Sequence, residues 1–314
     1  MRNLLIASIT SFFIGCSGGK YLQQCQIDGV ESLSKGMSEV SNKLTAAYSK
    51  VIEHNTQSYK NTIIPLVIKS TDTLFEDVKK PMDSIAGLIA TYASTNQASF
   101  NNWQAGLSLS TRLCDLLKAI SSSDFYKTFD DNKDNLLAGA DSLASKFNSI
   151  SSKKIQGSHG QLFSAIAFEI GKHKLRKTQK KYFKTAIDTG GIVLQIVLAG
   201  LQDPVLSNLN KDIKTLQNEY SKNYLNFQWR LSDSTIKLED AVKHIDEIES
   251  VKKNLNELQL LRTSILSLID LLQNLIGSLT KSVNEKANCE LLYPILTQID
   301  LVINEIDAYS SFLK

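Results

Sequence analysis

The sequence predicts an all-α protein, built as an antiparallel bundle of long helices with coiled-coil-like packing. Apolar residues recur at alternating spacings of three and four along most of the chain, which is the period of a helix face. Only four of the 314 residues are prolines, so helices are rarely interrupted. Hydrophobic residues make up 42% and charged residues 21%, ordinary values for a globular chain and unlike those of disordered ones. The net charge of +3 is too small to indicate nucleic-acid binding.

The first sixteen residues have the order of a secretory signal. Arg2 supplies a positive charge, residues 4–14 form an apolar run, and the small residue Gly15 precedes Cys16. The apolar run is shorter than the roughly 20 residues that a membrane-spanning helix needs. We therefore expect residues 1–15 to be a signal peptide.

The segment Phe13-Ile14-Gly15-Cys16 resembles the bacterial lipobox, with Phe13 where leucine is usual. The resemblance implies cleavage before Cys16, which would carry a thioether-linked diacylglycerol and usually an N-linked acyl chain such as palmitate. Two or more acyl chains give stable membrane attachment. Ser17 is not the aspartate that retains enteric lipoproteins in the inner membrane, so the resemblance implies the outer membrane, on either face. An ordinary cleaved signal that happens to precede a cysteine is the alternative.

The mature chain is expected to have a lipidated tether over residues 16–26 and a helical bundle over residues 27–314. Residues 149–160 are rich in serine, lysine and glycine and lack a periodic stripe, so they are the best candidate for an interior linker. Cys25, Cys114 and Cys289 remain after lipidation. An oxidising compartment permits one disulfide and one spare thiol, while buried free thiols are the alternative. The sequence leaves the pairing open.

In the first half of the chain, a heptad-like stripe predicts a helix from Gln26 to about Asn55. Pro65 is expected to break or kink the chain that follows. Further helices are predicted over residues 74–92, 103–120 and 124–147, the last beginning at the candidate N-cap Asp124. The first stripe comprises Val30, Leu33, Met37, Val40, Leu44, Ala47 or Tyr48, and Val51.

In the second half, a new and longer rhythm is expected to start after Asp203-Pro204 and to run to Leu231. Ser232-Asp233-Ser234 offers a break, after which the rhythm resumes from Leu238 to Leu279. A final helix follows Asn288, with Pro294 in or near its first turn. Proline is tolerated there because the first N–H groups of a helix have no helical partner.

A basic cluster precedes this rhythm, with seven cations in thirteen residues and no acid. A cation near an anionic membrane contributes about 1 kcal/mol, so the cluster is a candidate site for anionic lipid, lipopolysaccharide or an acidic partner. A solvated helix face balanced by neighbouring acids is the alternative. Its members are Lys172, Lys174, Arg176, Lys177, Lys180, Lys181 and Lys184.

Residues 190–201 are the most apolar stretch of the mature chain. They are too few to span a membrane as a helix, and we expect them to form a core segment buried all round. The alternative is an insertion element, because a helical bundle with an apolar segment in mid-chain is similar in plan to the cytolysin A and haemolysin BL type of pore-forming toxins.

Chemistry-bearing motifs are scarce. The four histidines have no metal-ligand spacing, and no phosphate loop or nucleophile elbow occurs. We therefore expect no enzyme activity, no cofactor and no metal. The sequence favours a membrane-anchored structural or protein-interaction module that binds an envelope protein, with its oligomeric state left open. A membrane-active protein that uses residues 190–201 is the alternative function.

Overall fold

The computed structural model describes residues 22–70, 101–122, 140–155, 179–232, 237–284 and 289–309. Within these ranges the regular elements are helical and none is a strand, which confirms the all-α prediction. A single 3₁₀ turn, Cys289–Leu291, precedes the last helix. The helices are α1 (Gln24–Ser70), α2 (residues 101–121), α3 (Ala140–Ile150), α4 (Gln179–Ser232), α5 (Leu238–Asn284) and α6 (Tyr293–Tyr309).

Helices α4 and α5 form a long hairpin. Their 54 and 47 residues correspond to lengths of about 80 and 70 Å at 1.5 Å per residue. Their contacts run in opposite sequence directions: Gly191 lies beside Ile276, Gln202 donates to Asp270, and Arg230 contacts His244. The hairpin is therefore the longest structural unit among the described residues.

Helix α1 lies along α5 in the opposite direction and very close to it. A Cβ atom added to Gly29 would lie 2.8 Å from Leu279, and one added to Gly36 would lie 2.6 Å from Leu272. These glycines let the two backbones approach, since any larger residue would meet a buried leucine. Helix α6 also packs on α1 and α5. Its two ion pairs to α1 are Lys35–Asp300 at 2.7 Å and Lys43–Asp307 at 2.9 Å.

Helices α2 and α3 pack on the first half of α4 around Phe147. The Phe147 ring is fully buried and contacts Gly106 of α2 and Gly200 of α4. Trp103 meets the same ring edge-to-face, with centroids 5.8 Å apart. Gly190 of α4 contacts Leu113 of α2. The first half of α4 is thus covered by α2, α3 and α5.

The predicted restart of a helix after Pro204 is wrong, and the predicted break at Pro65 does not occur. Helix α1 continues through Pro65 to Ser70, and α4 continues through Pro204 instead of restarting there. A proline inside a helix costs about 3 kcal/mol because it removes one hydrogen bond and crowds the preceding turn. In α4, buried Leu201 lies before this proline and buried Ile213 after it. Burial on both sides offsets that cost.

Residues near two of the predicted domain boundaries are among those that the structure describes. Helix α1 begins at Gln24, so the end of the predicted tether is helical, with Cys25 and Gln26 buried. The candidate linker at 149–160 starts within α3. Residues 151–155 follow without helical structure, and Asn148 fixes them by bonding the Ile155 carbonyl and N–H at 2.6 and 2.7 Å. Three predicted segments lie outside the described residues: residues 156–160 of the linker, the helix at 74–92, and residues 124–139 of the helix at 124–147.

Candidate functional site: an exposed helical arm

The far end of the α4–α5 hairpin forms an arm, which we define as residues 217–232 and 238–254. None of these residues is buried. The rest of α5 differs sharply, since Leu261, Ile265 and Leu268 and their successors at helical spacing are fully buried. The arm therefore projects beyond the core of the described structure.

The two helices of the arm meet along a half-buried seam. Its apolar members recur every three or four residues, so each faces the other helix. In a seam between two helices, each side chain is covered on one side only, which explains why the seam residues stay half exposed. They include Tyr220, Asn223 and Phe227 on α4 and Ala241, His244, Ile248 and Val251 on α5.

One side of this seam carries an apolar stripe, which we define as Tyr224, Leu231, Leu238, Val242 and Ile245. Their exposed fractions lie between 42% and 81%. Most of them follow a seam residue by one position, as Tyr224 follows Asn223 and Val242 follows Ala241. Successive residues of a helix are 100° apart around its axis. In two antiparallel helices, the residue that follows a seam residue therefore lies on the same side of the hairpin in both helices. The stripe is therefore one continuous face of the arm.

The opposite side of the seam is charged. A groove of about 530 Å³ lies there, and most of the residues that line it are of polar types: Glu219, Asn223, Lys243, Asp246, Glu247, Ser250 and Val251. The arm is thus amphipathic across its width. Single exposed apolar residues are common on protein surfaces, but a contiguous apolar face is typical of an interaction site.

Aromatic side chains add to the exposed apolar surface. Tyr220 and Tyr224 stack with their ring centroids 6.3 Å apart. Trp229 is 81% exposed and, with Leu225, lies on the outer side of α4. Tryptophan and tyrosine are the residue types that contribute most at protein interfaces.

The tip of the arm is closed by polar contacts. The Arg230 guanidinium donates to Nε2 of His244, whose Nδ1 lies 3.2 Å from Glu247. Glu239 and Asp240 lie in the first turn of α5, where acidic groups are favoured by the helix dipole. Helix α4 ends at Ser232, where Ser232-Asp233-Ser234 was predicted to break the helix.

The opposite end of the hairpin, which we call the base, is held by a disulfide. Cys25 at the start of α1 is bonded to Cys289 in the 3₁₀ turn, with Cα atoms 5.7 Å apart, a usual separation. Cys114 is a buried free thiol. Burial, followed by the nearby charge of Asp115, raises the pKa of the Cys114 thiol well above its usual range. Sequence left this pairing open because the two cysteines are 264 residues apart.

Gln179 ties the base together, and no sequence pattern marked it. Its side-chain amide donates to the carbonyl oxygens of Ile120 and Ser122, both at 3.0 Å. Its Oε1 accepts from the backbone N–H of Leu22 at 3.4 Å. The side chain of Gln26 likewise donates to Ser282 at the end of α5, at 3.1 and 3.2 Å. The base is thus the end at which the N-terminal segment enters the structure.

The predicted site residues divide between the base and the part of the chain outside the described residues. Lys181 and Lys184 are exposed and Lys180 is half-buried in the first turns of α4, next to Gln179. The described part of the basic cluster is therefore at the base and not on the arm. The lipidation candidate Cys16 and the remaining cluster residues Lys172, Lys174, Arg176 and Lys177 lie outside the described residues.

Residues 190–201 lie in the middle of α4 and contribute to the core. Val193, Leu194, Val197 and Leu198 are nearly or fully buried, whereas Ile192 is 46% exposed. The expectation of burial all round is wrong, because α4 has one face on the core and one facing solvent. Two helical segments, Gln179–Gln202 and Leu238–Val283, are long and apolar enough to cross a membrane by length and composition alone.

A second, more polar groove of about 720 Å³ runs between α4, α5 and α6. Amide, hydroxyl and ammonium groups line it, with Gly277 leaving open space in its floor. Within the described ranges, no group of three or more histidine, cysteine or acidic side chains is placed to hold a metal ion. The polar lining comprises Gln195, Gln273, Asn274, Ser278, Lys281 and Gln298.

Comparisons of the chain with protein-family models, with curated proteins and with solved structures find no match. The function must therefore be inferred from the molecule itself. Its most distinctive feature is the arm, which holds an uncovered apolar face away from the core.

Proposed function

We propose that this protein is a helical lipoprotein of the bacterial cell envelope that uses its arm to bind a protein. The observation that carries the proposal is the apolar stripe, which is presented on a helical hairpin and flanked by charged residues. Exposed apolar and aromatic side chains on regular helices are suited to helix-to-helix recognition. The proposed role is binding and not catalysis, because catalysis needs converging titratable groups and the stripe has none.

The position of the base supports a membrane anchor at Cys16. Leu22 is hydrogen-bonded to the first residue of α4, and six residues of chain reach at most about 20 Å. A lipid on Cys16 would thus hold the base close to the membrane. The tip lies at the other end of α5, about 70 Å away at 1.5 Å per residue. The anchored protein would therefore display its stripe far from its own membrane.

Charge and oxidation state fit the same proposal. Lys181 and Lys184 are exposed at the base, where cations would face anionic lipid headgroups. The Cys25–Cys289 disulfide is expected of a protein that folds in an oxidising compartment, which an exported chain reaches. Outer-membrane localisation follows from the lipobox resemblance and from Ser17, and it is part of the proposal.

A membrane-active function is the second candidate, favoured by the two helical segments that are long and apolar enough to span a bilayer. It would require residues 190–201 to leave a core in which Leu194, Val197 and Leu198 are fully buried. The arm needs no such rearrangement to expose its stripe. Leakage of dye from lipid vesicles by the purified chain would favour this second function over the first.

The anchor is tested by Cys16→Ala in cells. We expect the variant to move from the membrane fraction to the soluble fraction and to lose labelling by an alkyne analogue of palmitate. Wild-type protein without label, together with equal membrane association of the variant, would contradict the anchor.

The interaction role is tested by photo-cross-linking in intact cells. A photoreactive phenylalanine analogue replaces Leu238 on the stripe or, as a control, Lys181 at the base. Protein adducts are expected from position 238 and lipid adducts or none from position 181. Lipid adducts alone from position 238 would overturn the proposal and favour the membrane-active function.

A further inference from the structure

We infer that the partner of the arm is a second copy of this chain, so that two arms pack stripe to stripe into a four-helix coiled coil. The inference rests on the proposed function and names its partner. It also fixes the geometry, with a two-fold axis that runs parallel to the arms. Three features of the arm lead to it: its half-covered seam, its charge distribution and its position relative to the base.

The seam has the composition of a bundle core with too few helices around it. In the base half of α5, residues at the same spacing are fully buried because α1 and α6 pack on α5 in addition to α4. In the arm, Phe227, Ile248 and Val251 remain half exposed. A second hairpin placed on the stripe would supply two more helices and would cover these residues, as in a four-helix bundle.

The charges of the two helices in the arm are complementary. Along α4, the cations Lys222 and Arg230 outnumber the single acid Glu219. Along α5, acids predominate over the cations Lys243, Lys252 and Lys253. A two-fold axis parallel to the arms sets α4 of each copy beside α5 of the other, so a helix of net positive charge neighbours one of net negative charge. Glu219, Lys243, Asp246 and Glu247 line the groove on the far side of the seam, so the stripe itself stays apolar. The α5 acids are Glu239, Asp240, Asp246, Glu247 and Glu249.

The same charges oppose docking on an anionic membrane. A membrane of that kind attracts basic segments, whereas acids outnumber cations on the α5 side of the arm. A second copy, by contrast, brings to every acidic helix a basic one. The stripe is also self-complementary, since it contributes large side chains from both helices.

The proposed axis agrees with the anchor. Rotation about an axis parallel to the arms leaves both bases at the same end of the dimer, so both Cys16 residues could be lipidated in one membrane. The contact between Arg230 and His244 places Leu231 level with Lys243 across the seam, one residue from Val242. In the dimer, Leu231 would therefore lie beside the partner's Val242.

The first experiment is disulfide cross-linking of the full-length lipoprotein in intact cells that express two differently tagged copies. One copy carries Leu231→Cys and the other carries Val242→Cys. We expect a disulfide-linked species that contains both tags, at about twice the 34.9 kDa chain mass. The matched control pairs Asn226→Cys with Glu247→Cys on the charged side of the seam. We expect at least tenfold less linked product from this control.

The second experiment measures self-association of the purified full-length chain by sedimentation. The stripe variant Leu238→Asp with Val242→Asp should weaken dimerisation at least tenfold. Its control, Leu225→Asp with Trp229→Asp, removes two exposed apolar side chains from the outer side of α4 and should dimerise like the wild type. All four positions are exposed, so in dilute solution, where the wild type is also monomeric, both variants should melt like the wild type.

Each other outcome overturns a defined part of the account. A wild-type chain that stays monomeric, or equal cross-linking of the stripe and control pairs, would overturn the second-copy inference. Cross-links from the stripe to another segment of the same chain would do so too. If position 238 then still cross-links to a different protein in cells, the proposed interaction function stands without self-association. If it cross-links to lipid alone, both fail.

Discussion

The two halves of α5 carry the same apolar rhythm in opposite environments. From Leu258 to Val283, residues at three-four spacing are buried, and Leu272 and Leu279 lie under glycines of α1. From Leu238 to Asn254 the same spacing continues without a buried residue. Periodicity therefore specifies which face of a helix is apolar, but neighbouring helices decide whether that face is covered. The arm has the apolar periodicity of core helices, but among the described residues no further helix covers it.

The largest expected difference between the halves comes from matched charge substitutions in α5. Leu272→Asp would bury an unpaired charge in the base and should cost at least several kcal/mol, a large part of a typical stability of 5–15 kcal/mol. Leu238→Asp, on the exposed stripe, should change the free energy of unfolding of dilute, monomeric protein by less than about 0.5 kcal/mol. Thermal melts followed by circular dichroism measure both. Equal losses would mean that the arm is part of the core.

The disulfide should stabilise the base by a smaller amount. The substitution Cys289→Ala removes a cross-link between residues 264 positions apart. Removal of a native disulfide typically lowers the free energy of unfolding by about 2–5 kcal/mol. Chemical denaturation of the wild type and the variant measures the difference. Cys25→Ala is the matched control and should lose the same amount, because each variant breaks the same bond. Two clearly different losses would show that one cysteine has another role.

Alanine substitutions at two glycines of the base test the effects of close packing and of helix propensity separately. In Gly36→Ala, the new methyl group would lie 2.6 Å from a buried Leu272 side chain, and we expect a loss of about 1–3 kcal/mol from overpacking. Gly277 has no neighbour within 4 Å of an added Cβ, so Gly277→Ala should stabilise α5 by about 0.5–1 kcal/mol through helix propensity. Denaturant titration of both variants checks the opposite signs. A gain from Gly36→Ala would contradict the close α1–α5 approach.

The structural features that depend on local sequence pattern could be predicted from the sequence. The all-α class, the helix break near Ser232 and the final helix with Pro294 near its start all follow from periodicity and from the chemistry of helix ends. The prediction of a new helix after Pro204 is wrong, because the cost of one internal proline is small compared with the burial of Leu201 and Ile213 on either side. Local pattern alone could not reveal that α4 continues there.

The candidate site was harder to predict because it depends on distant contacts. Leu231 and Leu238 belong to the same rhythm as the core leucines, so their sequence gives no sign that they are exposed. The Cys25–Cys289 pairing and the bonds of Gln179 join segments that are far apart in the chain. Only the basic cluster was marked by local composition, and its described members lie at the base.

Hydrogen–deuterium exchange at two protein concentrations is the measurement that tests the central claim most directly. Exchange reports how often each backbone amide opens to solvent, so the arm and the base of α5 can be read in one experiment. We predict that residues 238–254 and 217–232 exchange quickly in dilute protein and become protected as concentration rises, while residues 258–283 stay protected throughout. Arm protection that is the same at both concentrations would contradict the claim that a second copy covers the stripe.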